Sequence, residues 1–365
     1  MPVSKKDKIA IWIITPNGVA IARQIIKHLP DWDLYASDKI KTGRLPASIF
    51  CKLSDTLAEK FHLYKAHIFI MATGIVVRMI APFIQNKTQD PAVVVVDDRG
   101  RHAISLLAGH LGGANGLTRK VAAMIHADPV ISTATDVNAK PAIDVLAKER
   151  KLFIENPPNI KTVNMALLTD RPICVHDPLA ALRDDIPNAV AADEEGLSKW
   201  EANRDGAAAI YVGDRQLDLA ANVLILRPAT LVAGIGCNRR TSSKEIAALL
   251  HETFRKFRLA ELSLARIATV DLKADEAGLV ELANTLKVPI DFFSRKALNR
   301  VEGVQTPSAR VQKHIGVRSV CEAAAILASQ MGPLIVPKQT APNVTVAIAR
   351  KAFTLLEPDP AARII

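Results

Sequence analysis

The chain has 365 residues, which is enough for two or three domains with separate hydrophobic cores. Hydrophobic residues make up 49% of it and charged residues 23%, a composition typical of a folded protein and not of a disordered one. No uncharged apolar run approaches the roughly 18 residues that would span a bilayer, and no signal-peptide cleavage pattern follows the basic start. These features argue against a membrane protein and lead us to expect a cytoplasmic one.

The formal net charge of +10 is unevenly distributed along the chain. Residues 1–138 carry 17 basic and 11 acidic side chains, residues 139–226 carry 10 and 14, and residues 227–365 carry 20 and 12. Two basic segments around an acidic one suggest an anionic partner. Few aromatic residues and no dense run of lysine or arginine argue against nucleic acid. Two explanations of the basic segments stay open: they bind a small polycarboxylate or phosphate, or they form a basic surface without a specific ligand.

The four cysteines lie far apart and form no C-x-x-C pair, so we expect neither a zinc ribbon nor a disulfide framework. No set of histidine, cysteine and carboxylate residues has the spacing of metal ligands. The sequence contains no P-loop, G-x-S-x-G or H-E-x-x-H motif. We therefore expect no metal held by the protein itself.

Predicted strands and helices alternate along residues 1–138. A strand over residues 8–14 leads through a TPNG turn into a helix, and the strand AHIFIMA leads through Thr73 and Gly74 into a helix that carries Arg78. The four-valine strand in PAVVVVDD is followed by RHAISLL, which is predicted to pair back with it as a hairpin. Apolar strands that alternate with helices are typical of an α/β fold, so we expect a largely parallel open sheet with flanking helices.

The run AISLLAGHLGGANG, residues 103–116, is the strongest signal of a site. A strand ends in a glycine-rich turn that contains His110, Gly112 and Gly113, and a helix begins near Asn115. Glycine permits a tight turn and the close approach of a ligand. Ligands of open α/β sheets commonly bind at such an edge, and His110 can transfer protons near neutral pH. A hydrogen-bonded structural histidine is the alternative.

The rest of the chain predicts two further α/β modules, which makes three in all. Residues 139–226 form a small acidic module that begins with a helix from Ala139 to about Arg150. Residues 227–365 form a basic domain that opens with the strand LVAGIG, the loop CNRRT and the helix SSKEIAALLHETFRKF.

Several motifs have both a structural and a functional interpretation. The GIGC run at 234–237 resembles the beginning of a dinucleotide fingerprint but lacks its third glycine, so we do not expect NAD binding. Ser242 with Glu245, and Ser319 with Glu322, match the capping box of a helix N-terminus. A catalytic carboxylate is the alternative for Glu322.

Other polar residues lie near predicted strand ends. Thr133, Thr135 and Asp136 follow a strand and precede a helix, so they either bind a ligand or cap the helix. Arg239 precedes a helix N-terminus and either holds a carboxylate or is solvated. Lys338 ends the strand LIVP, where it either reaches an anion or protects a sheet edge.

Long segments of the chain resemble one family. The run MATGIVVRMIAPFIQNKTQDPAVVVVDDRGRHAISLLAGHLGGANGLTRKVA, continued by PVISTATDVNAKPAIDVLAKE, is similar to the cobalt-precorrin-5A hydrolase family of anaerobic cobalamin biosynthesis. The segments LVAGIGCNRRTS, DLKADEAGL, SVCEAAAILAS and NVTVAIAR resemble the C-terminal domain of that family. The resemblance covers nearly the whole chain.

This resemblance implies a reaction and a substrate. Water opens the ring-A acetate δ-lactone of cobalt-precorrin-5A, and C20 leaves with its methyl group as acetaldehyde to give cobalt-precorrin-5B. Cobalt arrives within the substrate, so the protein needs no cofactor of its own. The macrocycle is fringed with carboxylates, which arginine binds well, and this gives the two basic segments a purpose.

For that reaction we expect His110 to act as a base, Glu322 to be a second proton acceptor, and backbone N–H groups near Gly112 and Gly113 to donate to the oxyanion. The predicted substrate contacts are Thr73, Gly74, Arg78, Gly112, Gly113, Asn115, Thr133, Thr135, Asp136, Arg239 and Lys338. We also expect a homodimer and transient contacts with other cobalamin-pathway enzymes. The competing hypothesis is a non-catalytic protein that binds and hands on a tetrapyrrole.

Overall fold

The computed structural model describes residues 6–86, 89–110, 112–200, 208–307, 312 and 316–353. Its contacts divide the chain into two compact units, Met1–Val145 and Leu146–Ile365. The first unit contains one sheet and the second contains two, all with flanking helices. The prediction of an α/β fold is confirmed, while the domain boundaries after residues 138 and 226 stay predictions. Within the described part of the chain, no helix is long and apolar enough to cross a membrane.

Among its described residues, the first unit has seven strands and six α-helices, and the last of these helices continues into the second unit. The strands are β1 (Lys6–Ile13), β2 (Trp32–Ser37), β3 (Ala47–Phe50), β4 (Tyr64–Ile70), β5 (Ala92–Val96), β6 (His102–Leu107) and β7 (Asp128–Val130). The helices are α1 (Pro16–Ile26), α2 (Leu53–Lys60), α3 (Thr73–Ile80), α4 (Ala114–Ile125), α5 (Ala134–Val137) and α6 (Ile143–Glu149). The sheet has the order β3-β2-β1-β4-β5-β6-β7. Helix α6 begins at Ile143, so the prediction that it begins at Ala139 is wrong.

The direction of the strands changes at β6. Strands β1 to β5 are parallel to one another, β6 runs antiparallel to β5, and β7 runs parallel to β6. Val96 lies opposite Ala103, and Val93 lies opposite Leu107, so the predicted hairpin is confirmed. The carboxyl ends of β6 and β7 therefore lie at the edge where β4 and β5 begin. A turn that follows β6 cannot share an edge with one that follows β4.

Both faces of this sheet are covered, which explains its continuous apolar strands. Ile11 and Ile13 of β1 pack in one cluster with residues of α1 and α4, while Trp12 packs in the other with Phe69 and residues of α2 and α3. Trp12 Nε1 donates to Nδ1 of the fully buried His67 at 3.0 Å, so the polar atoms within this second cluster are also paired.

The second unit contains two five-stranded sheets. The strands of the first are β8 (Leu152–Ile154), β9 (Ile173–His176), β10 (Ala189–Ala191), β11 (Ala208–Val212) and β12 (Leu224–Pro228), in the order β10-β9-β11-β12-β8. The strands of the second are β13 (Leu231–Cys237), β14 (Leu264–Val270), β15 (Ile290–Phe293), β16 (Leu334–Thr340) and β17 (Val344–Arg350), in the order β15-β14-β13-β17-β16. The helices are α7 (Ile160–Leu168), α8 (Glu194–Lys199), α9 (Ser243–Lys256), α10 (Ala277–Leu286), α11 (Arg295–Asn299) and α12 (Cys321–Ala328).

A buried carboxylate joins these two sheets. Asp214 follows β11, and Arg350 at the end of β17 donates to its two oxygens from Nε at 2.7 Å and from Nη2 at 2.9 Å. Thr230 Oγ1 donates to the same carboxylate at 2.7 Å. Such a bidentate pair fixes the distance and the angle between the elements that carry it.

The glycines of the GIGC run serve packing in this fold. A Cβ on Gly234 would lie 1.8 Å from the backbone oxygen of Cys321, because α12 packs directly on β13. A Cβ on Gly236 would lie 2.7 Å from Thr345 Oγ1. The dinucleotide resemblance therefore has a structural explanation in helix-to-strand contact.

The two predicted capping boxes have different outcomes. Ser242 caps α9 and accepts from the backbone N–H of Glu245 at 3.2 Å, as predicted, while Glu245 Oε1 accepts from Asn343 Nδ2 at 2.8 Å. At α12 the N-cap residue is Val320, and no side chain caps the helix, so the prediction for Ser319 and Glu322 is wrong.

Candidate functional site at the carboxyl ends of β6 and β7

The glycine-rich turn after β6 is compact and closes on itself. Gly113 N–H donates to the His110 carbonyl at 2.9 Å, and Ala114 N–H donates to the Ala108 carbonyl at 3.1 Å. A Cβ on Gly112 would lie 2.4 Å from the Cβ of Ala108, and Gly113 has a φ of +88°. Glycine is required here by the chain's own backbone, whether or not a ligand approaches.

His110 projects from this turn between two carboxylates. Its Nε2 lies 3.1 Å from Asp136 Oδ2 and 3.0 Å from Thr135 Oγ1, and its Nδ1 lies 3.3 Å from Asp144 Oδ2. The side chain is 14% exposed, so it lies at the surface of the site and not within the core. The hydrogen bond to Asp144 raises the pKa of His110 above its ordinary value, although burial opposes the shift, and Asp136 raises it further.

Asp136 is held as a carboxylate by three donors. Arg119 Nη2 donates to its Oδ1, Asn115 Nδ2 donates to its Oδ2 at 2.9 Å, and His110 Nε2 donates to Oδ2 whenever that nitrogen carries a proton. Burial by itself would raise the pKa of Asp136, but these hydrogen bonds and the two positive charges lower it. Asp136 therefore compensates the charge of His110 and is occupied by protein donors.

Asn115 connects the turn to the loop after β7. Its Oδ1 accepts from Ser105 Oγ at 2.6 Å, and its Nδ2 also donates to Thr133 Oγ1 at 3.0 Å. The residue is 4% exposed. The structure thus brings together most of the residues predicted at this edge, but it uses Asn115, Thr133 and Asp136 to hold His110 in place.

This arrangement favours the protonated form of the His110 ring. A ring with an acceptor at each nitrogen is favoured in its doubly protonated form, in which both N–H groups donate. The role of His110 as a base stays a prediction, and in this geometry the doubly protonated ring must first give up a proton. Its Nε2 side is the more exposed one, since Asp136 is 18% and Arg119 54% exposed, whereas Asp144 is 7% exposed.

The same arrangement does not suit a metal ion. The two carboxylates lie at opposite nitrogens of the ring, so their oxygens and one nitrogen do not converge on a common point. Among the residues described, no group of three or more histidine, cysteine, aspartate or glutamate side chains is placed to hold a metal.

The predicted contacts at Thr73, Gly74 and Arg78 lie at the other edge of the sheet, at the beginning of α3. The cause is the reversed direction of β6. The sequence predicted the hairpin, but we did not infer from it that the turns after β4 and β6 lie at opposite edges. Arg78 is exposed, and its Nη1 donates to the Gly74 carbonyl at 3.2 Å. These residues do not join His110 in one site.

Glu322 lies in the second unit and is fully buried. Its Oε2 accepts from the N–H groups of Gln305 at 2.8 Å and Thr306 at 2.9 Å, and its Oε1 accepts from Thr306 Oγ1 at 2.6 Å and Lys338 N–H at 2.9 Å. Burial would raise the pKa of Glu322, but these four donors lower it. Such a carboxylate is a poor proton acceptor, so the structure argues against a catalytic role and gives Glu322 a structural one.

Lys338 and Arg239 also lie in the second unit. Lys338 Nζ donates to the Thr306 carbonyl at 2.9 Å, so it supports the loop that Glu322 holds. Arg239 is 57% exposed and pairs with Asp275 at 2.5 Å. It borders an open depression of about 1040 Å³ at the N-termini of α9 and α10. An anion bound there would be repelled by Asp275 as well as attracted by Arg239.

Three family models match the chain: "Cobalamin synthesis G N-terminal" over residues 55–136, "Cobalamin biosynthesis central region" over residues 141–228, and "Cobalamin synthesis G C-terminus" over residues 231–349. Cobalt-precorrin-5A hydrolase from Priestia megaterium is 33% identical over 95% of this chain and 96% of its own length. The protein of that name from Salmonella typhimurium is 38% identical over 90% of this chain and 94% of its own. The chain belongs to the cobalt-precorrin-5A hydrolase family. Protein CobE of Sinorhizobium sp. is 32% identical to a part of this chain, over 34% of this chain and 82% of CobE.

Sequence reasoning missed Asp144, Arg119 and Ser105 in this family member. Asp144 lies in the first turn of α6, where an acidic residue is ordinary because it favours the helix dipole. Arg119 is an exposed residue of α4 and Ser105 belongs to a predicted strand, so neither carried a local signal. Only the pairing of β6 with β7 brings these side chains to His110 and its partners.

Proposed function

We propose that this protein is a cobalt-precorrin-5A hydrolase. Water opens the ring-A acetate δ-lactone of cobalt-precorrin-5A, C20 leaves with its methyl group as acetaldehyde, and cobalt-precorrin-5B is formed. The observation that carries the proposal is the identity of 33% and 38% with two relatives of that name over at least 90% of the chain. The geometry around His110 supports it by supplying a proton-transfer group at a sheet edge.

In the first step, water adds to the lactone carbonyl, and the bond between the carbonyl carbon and the lactone oxygen breaks. The His110 imidazolium donates its Nε2 proton to the departing alkoxide, which becomes a C20 hydroxyl. Water gives up two protons to solvent, one as it adds to the carbonyl and one because the new ring-A acetate is ionised at neutral pH. His110 is then a neutral imidazole with Nε2 free to accept a proton.

In the second step, His110 removes the proton from the C20 hydroxyl. The C20–O bond becomes a carbonyl, the bond from C20 to the macrocycle breaks, and its electron pair passes into the macrocycle. Acetaldehyde leaves and the imidazolium is restored. The raised pKa of His110 suits this cycle, because the same group must donate before it accepts.

The oxyanion donors differ from the sequence prediction. The N–H of Gly113 is already donated to the His110 carbonyl, so we keep only the N–H of Gly112 as a donor to the tetrahedral intermediate. Arg119 is the exposed cation beside the site, and we assign it to a carboxylate on the substrate rim. Cobalt enters as part of the substrate, and the proposal requires no cofactor bound by the protein.

The proposal also includes the setting of the enzyme. We place the protein in the cytoplasm, acting as a homodimer that receives its substrate through transient contacts with neighbouring enzymes of the pathway. The basic segments 1–138 and 227–365 support an anionic substrate.

Acetaldehyde release by the purified full-length chain with cobalt-precorrin-5A tests the proposal. We expect many turnovers in the wild type and a loss of about 100-fold or more in His110→Gln, since acid–base groups contribute roughly 10²–10⁴-fold. His251→Gln is the matched control, because His251 is an exposed histidine in the second unit that pairs with Glu261. Equal release by His110→Gln and the wild type would refute the role of His110.

One observation favours a second candidate, a carrier that binds the tetrapyrrole without catalysis. Part of the chain matches most of the length of protein CobE, so a relative of that part occurs as a separate protein. A carrier would bind the substrate but release at most one equivalent of acetaldehyde. Sustained turnover by the wild type decides against it.

A further inference from the structure

Asp144 is a buried carboxylate at the candidate site that no local sequence pattern singles out. It begins the match to the central-region model, residues 141–228, yet it belongs to the first compact unit, Met1–Val145. Its side chain is 7% exposed, and Oδ2 lies 3.3 Å from His110 Nδ1. The first turn of α6 therefore completes a site built from β6, β7, α4 and α5.

The two carboxylates beside His110 have different surroundings. Asp136 receives hydrogen bonds from Arg119 and Asn115 as well as from His110, and it lies on the more exposed Nε2 side. Asp144 lies on the Nδ1 side, where the ring is covered. Because the Nε2 side is the more exposed of the two, we assign proton transfer with the substrate to Nε2, where the substrate would replace Asp136 or Thr135 as the partner of that nitrogen.

A histidine that works through Nε2 must keep its proton on Nδ1. When the ring gives up the Nε2 proton, the neutral form has two tautomers, and only the one with Nδ1–H can accept the next proton at Nε2. A carboxylate at Nδ1 selects this tautomer and fixes the plane of the ring. The charged and titratable groups that face the ring are Asp136 from α5 and Asp144 from α6, with Arg119 from α4 acting through Asp136.

We propose that Asp144 is the positioning residue of His110: its carboxylate accepts the Nδ1 proton in both halves of the reaction and keeps Nε2 as the atom that transfers protons. This inference rests on the proposed function of His110. It assigns to the beginning of the central region a part in the chemistry of the N-terminal sheet.

The test uses full-length Asp144→Asn, with Asp144→Glu as the conservative variant. Asp185→Asn is the matched control, because Asp185 is a partly buried carboxylate paired with Arg150 in the second unit. Two readouts are required: the titration of His110 by NMR, and the pH profile of acetaldehyde release. Circular dichroism confirms that each variant is folded.

We expect Asp144→Asn to shift the titration of His110 to lower pH, to move the pH profile in the same direction, and to lower turnover about 10- to 100-fold, the range for groups that orient a catalytic histidine. Asp144→Glu restores part of each effect, and Asp185→Asn changes none. A folded Asp144→Asn protein in which His110 titrates as in the wild type overturns the inference. If the wild type releases no acetaldehyde, the proposed function fails, while the NMR titration still decides whether Asp144 governs His110.

Discussion

Leu107, the last residue of β6, lies opposite Val93 near the beginning of β5. This antiparallel pairing places the glycine-rich turn at the edge of the sheet where β4 and β5 begin. The turn with Thr73 and Gly74 follows β4 and lies at the opposite edge. Two glycine-containing turns that the sequence suggests as one site are separated by a single reversed strand.

The stability of the first unit is expected to depend on pH through His110. The raised pKa means that the imidazolium stabilises the fold below its ordinary pKa, and that this contribution is lost as pH rises through the raised value. The difference in unfolding free energy between the wild type and His110→Gln should be greatest near about pH 5 and smaller near about pH 8, with a maximum of roughly 1.5–3 kcal/mol. Guanidinium unfolding across this range measures it. A difference that stays constant with pH would contradict the prediction.

Glu322→Gln should weaken the second unit without changing the pH profile of acetaldehyde release. An amide cannot accept from all four of the donors around Glu322, so we expect a loss of about 3 kcal/mol. Because the pKa of Glu322 is lowered, its contribution is present at neutral pH and is lost as pH falls through that lowered value. Thermal melting at several pH values checks this, with Glu252→Gln on the exposed face of α9 as the control. A changed pH profile in Glu322→Gln would restore a catalytic role.

Gly112→Ala should abolish most activity while the protein stays folded. The new Cβ would meet the Cβ of Ala108 at 2.4 Å and its carbonyl oxygen at 2.8 Å, so the turn that carries His110 must move. A displacement of this kind costs about 100-fold in rate. Gly116→Ala is the control from the same segment, since nothing lies within 4 Å of its added Cβ. Acetaldehyde release measures the activity of both variants, and circular dichroism shows whether they are folded. Full activity in Gly112→Ala would show that the turn tolerates the change.

Gly234→Ala should prevent stable packing of α12 on β13. Its Cβ would lie 1.8 Å from the backbone oxygen of Cys321 and 2.7 Å from the backbone nitrogen of Ala325, and neither can yield as a side chain does. We expect a loss of about 3 kcal/mol or more, whereas Gly116→Ala should gain roughly 0.4–1 kcal/mol, because it lies in the exposed first turn of α4, where alanine fits without strain and restricts the unfolded chain. Melting temperatures of the two variants test this pair. If Gly234→Ala had the same melting temperature as the wild type, β13 and α12 would not approach each other this closely in solution.

Local patterns were sufficient for the elements and for the site's central residue. Alternation of apolar strands with helices predicted the α/β fold, the valines of β5 and the run after them predicted the β5–β6 hairpin, and Ser242 predicted a helix cap. These features depend on neighbours within a few residues, whose periodicity and turn chemistry are visible in the sequence. His110 was found in the same way, by the glycines beside it.

The role of a polar side chain was decided by contacts between distant parts of the chain. Glu322 has the spacing of a helix cap, yet it holds a loop and a strand that lie 16 or 17 residues away from it. Asp144 looks like an ordinary helix N-terminal acid, yet it reaches a histidine 34 residues earlier. Sequence alone determined most of the elements that form and where the candidate histidine lies along the chain. Only the tertiary structure decided which side chains surround that group, because strand direction and register bring together residues whose spacing in the sequence carries no local signal.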